Sequence, residues 1–201
     1  QAKVQAEKNR RRFLKDSKEK GVFYHGTLKD FSVPHSGNHD AFFVSPNPNF
    51  ANRYAMDDLS WFPGKNTSAA PGGNVMPVHV QAKNPFDFEN KKHVESVIPS
   101  FRKTLREQEG YNKPTIDAWV SKFRNGDWSA VELASSYDLL KNKGFDSYYV
   151  MESGYKNLGV YDPRQIKSAI GNRGTYDPND PDITKAGGGG VGKGKSVLKE
   201  L

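Results

Sequence analysis

The chain has 201 residues, of which 35% are hydrophobic, and it carries a formal net charge of +7. This length is enough for one domain with a buried core, and the absence of cysteine excludes disulfides, thiolate zinc sites and a cysteine nucleophile. No apolar run approaches the roughly 18 residues of a membrane helix, and no signal peptide is expected because no apolar stretch follows the first residues. Because Met does not begin the chain, we expect a piece of a longer polypeptide.

The positive charge is concentrated at the two ends of the sequence. Residues 1–20 hold eight Lys or Arg and three acidic residues, residues 185–201 hold four Lys and one Glu, and the segment between them is near neutral. A basic tail can attract nucleic acid, but it is usually solvated. We predict a basic helix or linker over 1–20, a folded domain over 21–184 without a nucleic-acid groove, and a flexible Gly/Lys-rich tail over 185–201.

Hydrophobic patterning predicts strands towards both ends of the domain. Runs of β-branched and aromatic residues predict strands over 22–25, 41–44, 76–82, 145–151 and 158–161. After the second of these, Asn49 is predicted to cap a helix that carries Tyr54. Residues 63–74, rich in Pro, Gly, Asn, Ser and Ala, predict a mobile loop.

The middle of the sequence predicts helices. Apolar residues recur at helical spacing over 94–105 and over 116–123. Ser129 with Glu132 is a capping-box pattern that predicts a further helix, ending at Gly144. Strands on both sides of a helical middle predict an α+β fold with antiparallel sheets.

Two local patterns are typical of ligand sites but lack the surroundings that such sites need. Residues 189–196 fit the phosphate-binding pattern G-x-x-x-x-G-K-S, yet a Pro/Asp loop precedes them and only five residues follow. His35 and His39 lie on a Pro/Gly/Asn loop, without the third and fourth ligands that zinc requires. We interpret the first as a flexible tail and the second as a solvated loop, and we predict no metal site.

Three segments combine His, aromatic and small polar residues in a fixed order. They are Phe23-Tyr24-His25-Gly26-Thr27, then Phe42-Phe43-Val44-Ser45 with Ala51-Asn52-Arg53-Tyr54, then Asn157-Leu158-Gly159-Val160-Tyr161-Asp162-Pro163 with Gln165-Ile166-Lys167-Ser168-Ala169. This set resembles the ADP-ribosyltransferase superfamily, in the branch of poly-ADP-ribose polymerases and diphtheria-type toxins, in particular the versions in phage polyproteins and bacterial polymorphic toxins. The resemblance covers about residues 22–184, with eleven positions from Phe43 to Tyr54 as in the polymerase branch.

The resemblance implies two split antiparallel sheets that form a cleft for NAD+, the co-substrate, with a helical insertion between them. In the family, the backbone of the Gly after the His binds the nicotinamide carboxamide, which points to Gly26, and the His donates to a ribose hydroxyl, which points to His25. Aromatic rings enclose the nicotinamide, which points to Phe43 and Tyr54. The neighbouring residues Thr27 and Ser45 complete the set that we expect to contact NAD+.

The sequence differs from the family at the position of its carboxylate. The nicotinamide–ribose bond breaks through an oxocarbenium-like state that a carboxylate stabilises, and a family Glu usually begins the strand that reads x-V-Y-D-P. Here Asn157 occupies that position, while Glu152 lies five residues earlier and Gln165 follows the strand. His25, Tyr54, Asn157, Glu152 and Gln165 are therefore the candidate catalytic residues. The choice among the last three stays open.

The resemblance implies an enzyme that moves a single ADP-ribose from NAD+ to a protein of a host or target cell, after delivery with a phage virion or secretion as a toxin. The uncharged Asn157 argues against chain elongation and leaves two alternatives, an NAD+-binding module with little or no turnover and an NAD+ glycohydrolase. A third hypothesis is a structural segment of a virion protein whose basic tails contact nucleic acid. Each residue alone also has a structural explanation, so the prediction depends on order and spacing.

Overall fold

A computed structural model describes residues 2–28, 31–34, 41–56 and 73–184 of the chain. The helices within these ranges are α1 (Ala2–Phe13), α2 (Pro48–Ala55), α3 (Lys91–Glu107), α4 (Lys113–Arg124), α5 (Trp128–Val131) and α6 (Ala134–Asn142). The strands are β1 (Phe23–Thr27), β2 (Phe42–Val44), β3 (Asn74–Val80), β4 (Pro85–Phe86), β5 (Ser147–Glu152), β6 (Tyr155–Val160) and β7 (Ile166–Ser168). The α+β fold class is confirmed.

The strands form two sheets that meet at one edge. Sheet A has the order β1-β3-β7 and is antiparallel, and sheet B has the order β2-β6-β5-β4. A pair of backbone hydrogen bonds between Tyr24 and Ser45 joins the edges of β1 and β2. The two-residue strand β4 pairs in parallel with β5, which the sequence did not indicate. Helices α3 to α6 are the long crossover connection that a parallel pair requires.

Sheet B separates two hydrophobic cores because successive residues of a strand point to opposite faces. On one face, Phe42, Leu158 and Val160 pack with the apolar residues of sheet A. On the other, Tyr148 and Val150 pack with the helices. Helix α3 supplies this core from one stripe at helical spacing: Val94, Val97, Ile98, Phe101 and Leu105. Each such side chain stabilises the fold by about 1.5–3 kcal/mol when fully buried.

Helix α1 is mostly exposed, but its last residue and the segment that follows it pack on the domain. Phe13 and Leu14 are buried, and the Phe13 ring contacts that of Tyr176. The buried Ser17 hydroxyl donates to the backbone oxygen of Val80, 2.9 Å away, and accepts from the backbone nitrogen of Ala82. The helix expected within 1–20 is therefore anchored to the strands of the domain.

Two predicted helix starts lie elsewhere. Asn47, rather than Asn49, caps α2: its side-chain oxygen accepts from the backbone nitrogens of Asn49 and Phe50, and Pro48 occupies the first helical position. Asp127 caps α5 by accepting from Ser129, so the single helix predicted from Ser129 to Gly144 is two helices. The break is at Leu133, whose ψ of 134° is extended rather than helical.

Three expectations fall on parts of the chain outside the described residues. They are the His35 and His39 loop, the phosphate-binding pattern over 189–196 and the mobile loop as far as residue 72; Asn74 already belongs to β3. In the part of the chain that the structure describes, no helix is both long and apolar enough to span a bilayer.

Candidate functional site

Strand β1 and helix α2 approach each other closely at Gly26. A Cβ built at this position would lie 1.8 Å from the backbone oxygen of Ala51 and 3.0 Å from the backbone nitrogen of Ala55. Only glycine allows this approach of strand and helix backbones. The contact places the last turn of α2, which carries Tyr54, beside the end of sheet B.

His25 points away from α2, because neighbouring strand residues face opposite sides. Its Nδ1 lies 2.7 Å from the backbone oxygen of Phe43, and its ring stacks on Phe42 with the centroids 4.0 Å apart. Burial lowers the pKa of His25, so the ring is neutral near pH 7. Because a carbonyl oxygen only accepts, Nδ1 carries the proton and Nε2 is left as an acceptor.

A carboxylate from β5 lies between side chains of α2 and β6. The Tyr54 hydroxyl donates to Glu152 Oε1 at 2.6 Å, and Asn157 Nδ2 donates to Glu152 Oε2 at 3.3 Å. Burial, followed by the bond to Glu152, raises the pKa of the Tyr54 hydroxyl. The structure thus brings together three of the predicted catalytic residues, and each oxygen of the carboxylate has a donor.

The hairpin between β5 and β6 explains how Glu152 reaches Asn157. The two strands pair Val150 with Asn157 and Glu152 with Tyr155, so Glu152 and Asn157 share one face of sheet B. The turn between them has positive φ at both Ser153 and Gly154, 49° and 82°, which is the geometry of a two-residue hairpin turn. A separation of five residues in the sequence therefore becomes a side-chain contact.

Phe43 lies on the same face of sheet B as Asn157. It pairs with Gly159, and its ring meets that of Tyr148 edge-on at 5.9 Å. A Cβ at Gly159 would be 2.8 Å from Tyr148 Cζ and 3.0 Å from Phe43 Cε1, so glycine gives the two rings their room. Phe43, Asn157 and Glu152 thus follow one another on the face that the helices partly cover.

Gln165 lies away from this group and is occupied by backbone partners. Its Oε1 accepts from the backbone nitrogen of Asp162 and its Nε2 donates to the backbone oxygen of Gln81, both at 2.9 Å. Ser45 is buried, and its hydroxyl accepts from the backbone nitrogen of Asn47 at the start of α2. Thr27 is the last residue of β1, paired with Asn74.

Sequence reasoning missed the position of Glu132, which it considered only as part of a helix cap. Burial, followed by the charge of Glu152, raises the pKa of Glu132 to about 8. The charge of Glu132 in turn acts on the hydroxyls of Tyr54 and Tyr148. No sequence signal marks this residue, since its relation to Glu152 arises only when the helices fold over sheet B. The described residues contain no group of three or more His, Asp or Glu suited to a metal ion.

Two joined sheets, a helix seated on a glycine of β1, and a carboxylate held by a tyrosine and an amide define an α+β domain of the ADP-ribosyltransferase type. The model of one such family, described as ADP-ribosyltransferase in polyvalent proteins, matches residues 19–176. The chain therefore belongs to this family, and the resemblance found in the sequence is confirmed. No curated protein and no solved structure gave a significant match.

Proposed function

We propose that this domain cleaves the nicotinamide–ribose bond of NAD+ and transfers a single ADP-ribose to a protein acceptor, with Glu152 as the carboxylate of the site. The observation that carries the proposal is the position of Glu152, which accepts hydrogen bonds from Tyr54 and from Asn157. Glu152 therefore supplies a negative charge next to the position where the family usually has Glu.

The chemistry assigns two tasks to the carboxylate and one to its neighbours. When the C–N bond breaks, nicotinamide leaves with the electron pair and positive charge grows on the ribose, which the anion of Glu152 stabilises. The acceptor then forms its bond to the ribose, and Glu152 takes the proton that the acceptor loses. Tyr54 and Asn157 orient the carboxylate, because their donors are on two different elements, α2 and β6.

We assign NAD+ binding to six residues that lie on β1, on α2, or on β2 and directly after it: His25, Gly26, Thr27, Phe43, Ser45 and Tyr54. The neutral His25 offers Nε2 as an acceptor for a ribose hydroxyl, where the resemblance implied a donor. Phe43 and Tyr54 are the rings that enclose the nicotinamide. Gln165 has a structural role in this proposal, because both ends of its amide bind backbone groups.

The transfer of one unit rather than a chain agrees with the residue at position 157. Elongation needs a carboxylate that activates a ribose hydroxyl of the previous unit, and the branch that the sequence resembles usually has Glu at this position. Asn157 is uncharged and 2% exposed, and its amide nitrogen already binds Glu152. We further propose, from the family description alone, that the acceptor is a protein of a host or target cell, reached by virion delivery or secretion.

The test is incubation of labelled NAD+ and bacterial lysate with the wild type and with Glu152→Gln. We expect the substitution to reduce protein labelling and nicotinamide release by about 10²–10³-fold, because it removes the charge while preserving shape. Glu107→Gln is the matched control, since Glu107 is the last residue of α3 and its side chain is 61% exposed. Equal labelling by the wild type and Glu152→Gln contradicts the proposal.

The uncharged Asn157 favours a second candidate, in which NAD+ binds but ADP-ribose is not transferred. A binding module shows a higher melting temperature with NAD+ and no nicotinamide release. A glycohydrolase shows nicotinamide release without labelled protein. Steady labelling that is lost in Glu152→Gln excludes both.

A further inference from the structure

Helix α1 has one side fixed to the domain and an opposite side of exposed cations. On the fixed side, the Asn9 side chain donates to the backbone oxygen of Gly174 at 2.7 Å, and a Cβ at Gly174 would lie 3.0 Å from that of Ala6. Phe13, one turn after Asn9, is buried. The opposite side carries the α1 cation row, four exposed residues at spacings of three and four: Lys8, Arg11, Arg12 and Lys15.

The α1 cation row keeps most of its charge. Apart from Arg11, its members form no ion pair with the residues that the structure describes. Arg11 shares Glu7 with Arg10, and its side chain is still 77% exposed. Of the other acidic residues of the segment, Glu19 is bound by a tyrosine hydroxyl of β5, and Asp16 lies beyond the end of the row. Exposed cations in a row attract a polyanion, because each phosphate that they neutralise releases counterions.

The other properties of this side of α1 favour double-stranded DNA as the polyanion. A helix that lies on a membrane needs an apolar face, and Val4 is the one large apolar side chain exposed on α1. Single-stranded nucleic acid stacks its bases on aromatic rings, which the exposed side of α1 lacks. The major groove of B-DNA admits a helix, whereas that of duplex RNA is deep and narrow.

We propose that α1 is a docking surface for double-stranded DNA, in which the α1 cation row contacts backbone phosphates without preference for base sequence. Contacts to phosphates set position and orientation but carry no sequence information. The surface is separate from the candidate functional site. Ser17 binds Val80, whereas Gly26 pairs with Val75, about 16 Å earlier along β3. The inference is therefore independent of the proposed function.

The first test measures how the affinity of the full chain for a fluorescent DNA duplex depends on salt, by fluorescence anisotropy. Lys8→Gln/Arg12→Gln/Lys15→Gln removes three phosphate contacts. The slope of log affinity against log salt should therefore be shallower than that of the wild type by about 3. Between about 50 and 200 mM salt, the wild type should lose roughly 40-fold more affinity than this triple variant.

The matched control removes the same three charges from exposed positions of the helical layer. It is Lys92→Gln/Arg106→Gln/Lys143→Gln, which again replaces two lysines and one arginine. Both triple variants should melt like the wild type, because the substituted side chains are exposed. A shallower slope in the α1 variant alone supports the proposal. Equal slopes for the two triple variants overturn it.

The second test strengthens binding, so a loss of folding cannot imitate the expected result. Glu7→Gln releases Arg10 and Arg11 from their shared carboxylate. We expect tighter binding at low salt and a slope steeper by about 1–2. Glu107→Gln is the control, since it removes one acidic partner of an exposed lysine from the end of α3. If Glu7→Gln binds DNA no more steeply than Glu107→Gln, the assignment to α1 is wrong.

Duplex RNA and vesicles of phosphatidylserine in phosphatidylcholine are the competing ligands. Weaker binding of both, together with the expected slopes for DNA, supports the choice of DNA. Tighter binding of either ligand than of DNA, lost when the α1 cation row is neutralised, overturns that choice.

Discussion

At the scale of single residues, the site combines one anion with uncharged donors. The Tyr54 hydroxyl and the Asn157 amide each bind one oxygen of Glu152, and neither adds a negative charge. A carboxylate at position 157 would lie within about 3–4 Å of Glu152, and two like charges at that distance do not both stay ionised. Asn at position 157 is therefore compatible with Glu152 as the carboxylate of the site. Glu152 lies two residue pairs further along the hairpin.

The most specific prediction for a single residue concerns Gly26. Gly26→Ala places a methyl group 1.8 Å from the backbone oxygen of Ala51, so α2 must move away from β1 and Tyr54 must move away from Glu152. We expect a loss of about 1–3 kcal/mol in the free energy of unfolding, as for other overpacked sites, together with loss of NAD+-dependent labelling. Gly21→Ala is the control, since nothing lies within 4 Å of a Cβ there. The interpretation is contradicted if both variants melt and label alike.

At the scale of elements, a short helix and a tight hairpin position the carboxylate. Helix α2 has eight residues, too few to be stable alone, so its cap and its packing on β1 determine whether it forms. The hairpin of β5 and β6 is joined by a turn of two residues, which fixes the register that brings Asn157 to Glu152. The site therefore depends on two local structures, and each has its own signal in the sequence. These signals are the cap that starts α2 and the two-residue turn that joins β5 to β6.

The cap of α2 can be tested with two neighbouring asparagines. Asn47→Ala removes the oxygen that accepts from the backbone nitrogens of Asn49 and Phe50, and we expect a cost of about 1 kcal/mol in urea unfolding. Asn49→Ala is the matched control, because Asn49 contributes to this cap only through its backbone. A larger loss for Asn49→Ala than for Asn47→Ala would show that the helix begins two residues later.

At the scale of the whole molecule, sheet B divides the domain into two cores, and the N-terminal segment forms a third, smaller cluster with Tyr176. The family match begins at residue 19, yet Phe13, Leu14 and Ser17 are buried before that point. The hydroxyl of Ser17 joins the segment to the end of β3. The folded unit thus includes residues that precede the region matched by the family model.

A substitution at Phe13 tests how much the N-terminal segment contributes to the free energy of unfolding of the domain. It is 2% exposed, so Phe13→Ala should reduce the free energy of unfolding by about 3 kcal/mol through lost burial and a residual cavity. Val4→Ala on the same helix is the control, since Val4 is 60% exposed and should change stability by less than about 0.5 kcal/mol. Urea denaturation followed by circular dichroism measures both. Equal midpoints for Phe13→Ala and the wild type would mean that the segment does not pack on the domain in solution.

The sequence by itself determined the strands around His25 and Phe43, the helical periods of α3 and α4, the α+β class and the family, because these depend on local periodicity and on the order of motifs. It misplaced the caps at Asn49 and Ser129, since neighbouring polar residues compete for the same backbone nitrogens. Only the tertiary structure showed that Glu152 contacts Tyr54 and Asn157 while Gln165 binds backbone groups, and only it related Glu132 to Glu152. Those relations depend on hairpin register, on a backbone-bound amide and on helices that fold over a sheet, and none of these is a property of neighbouring residues.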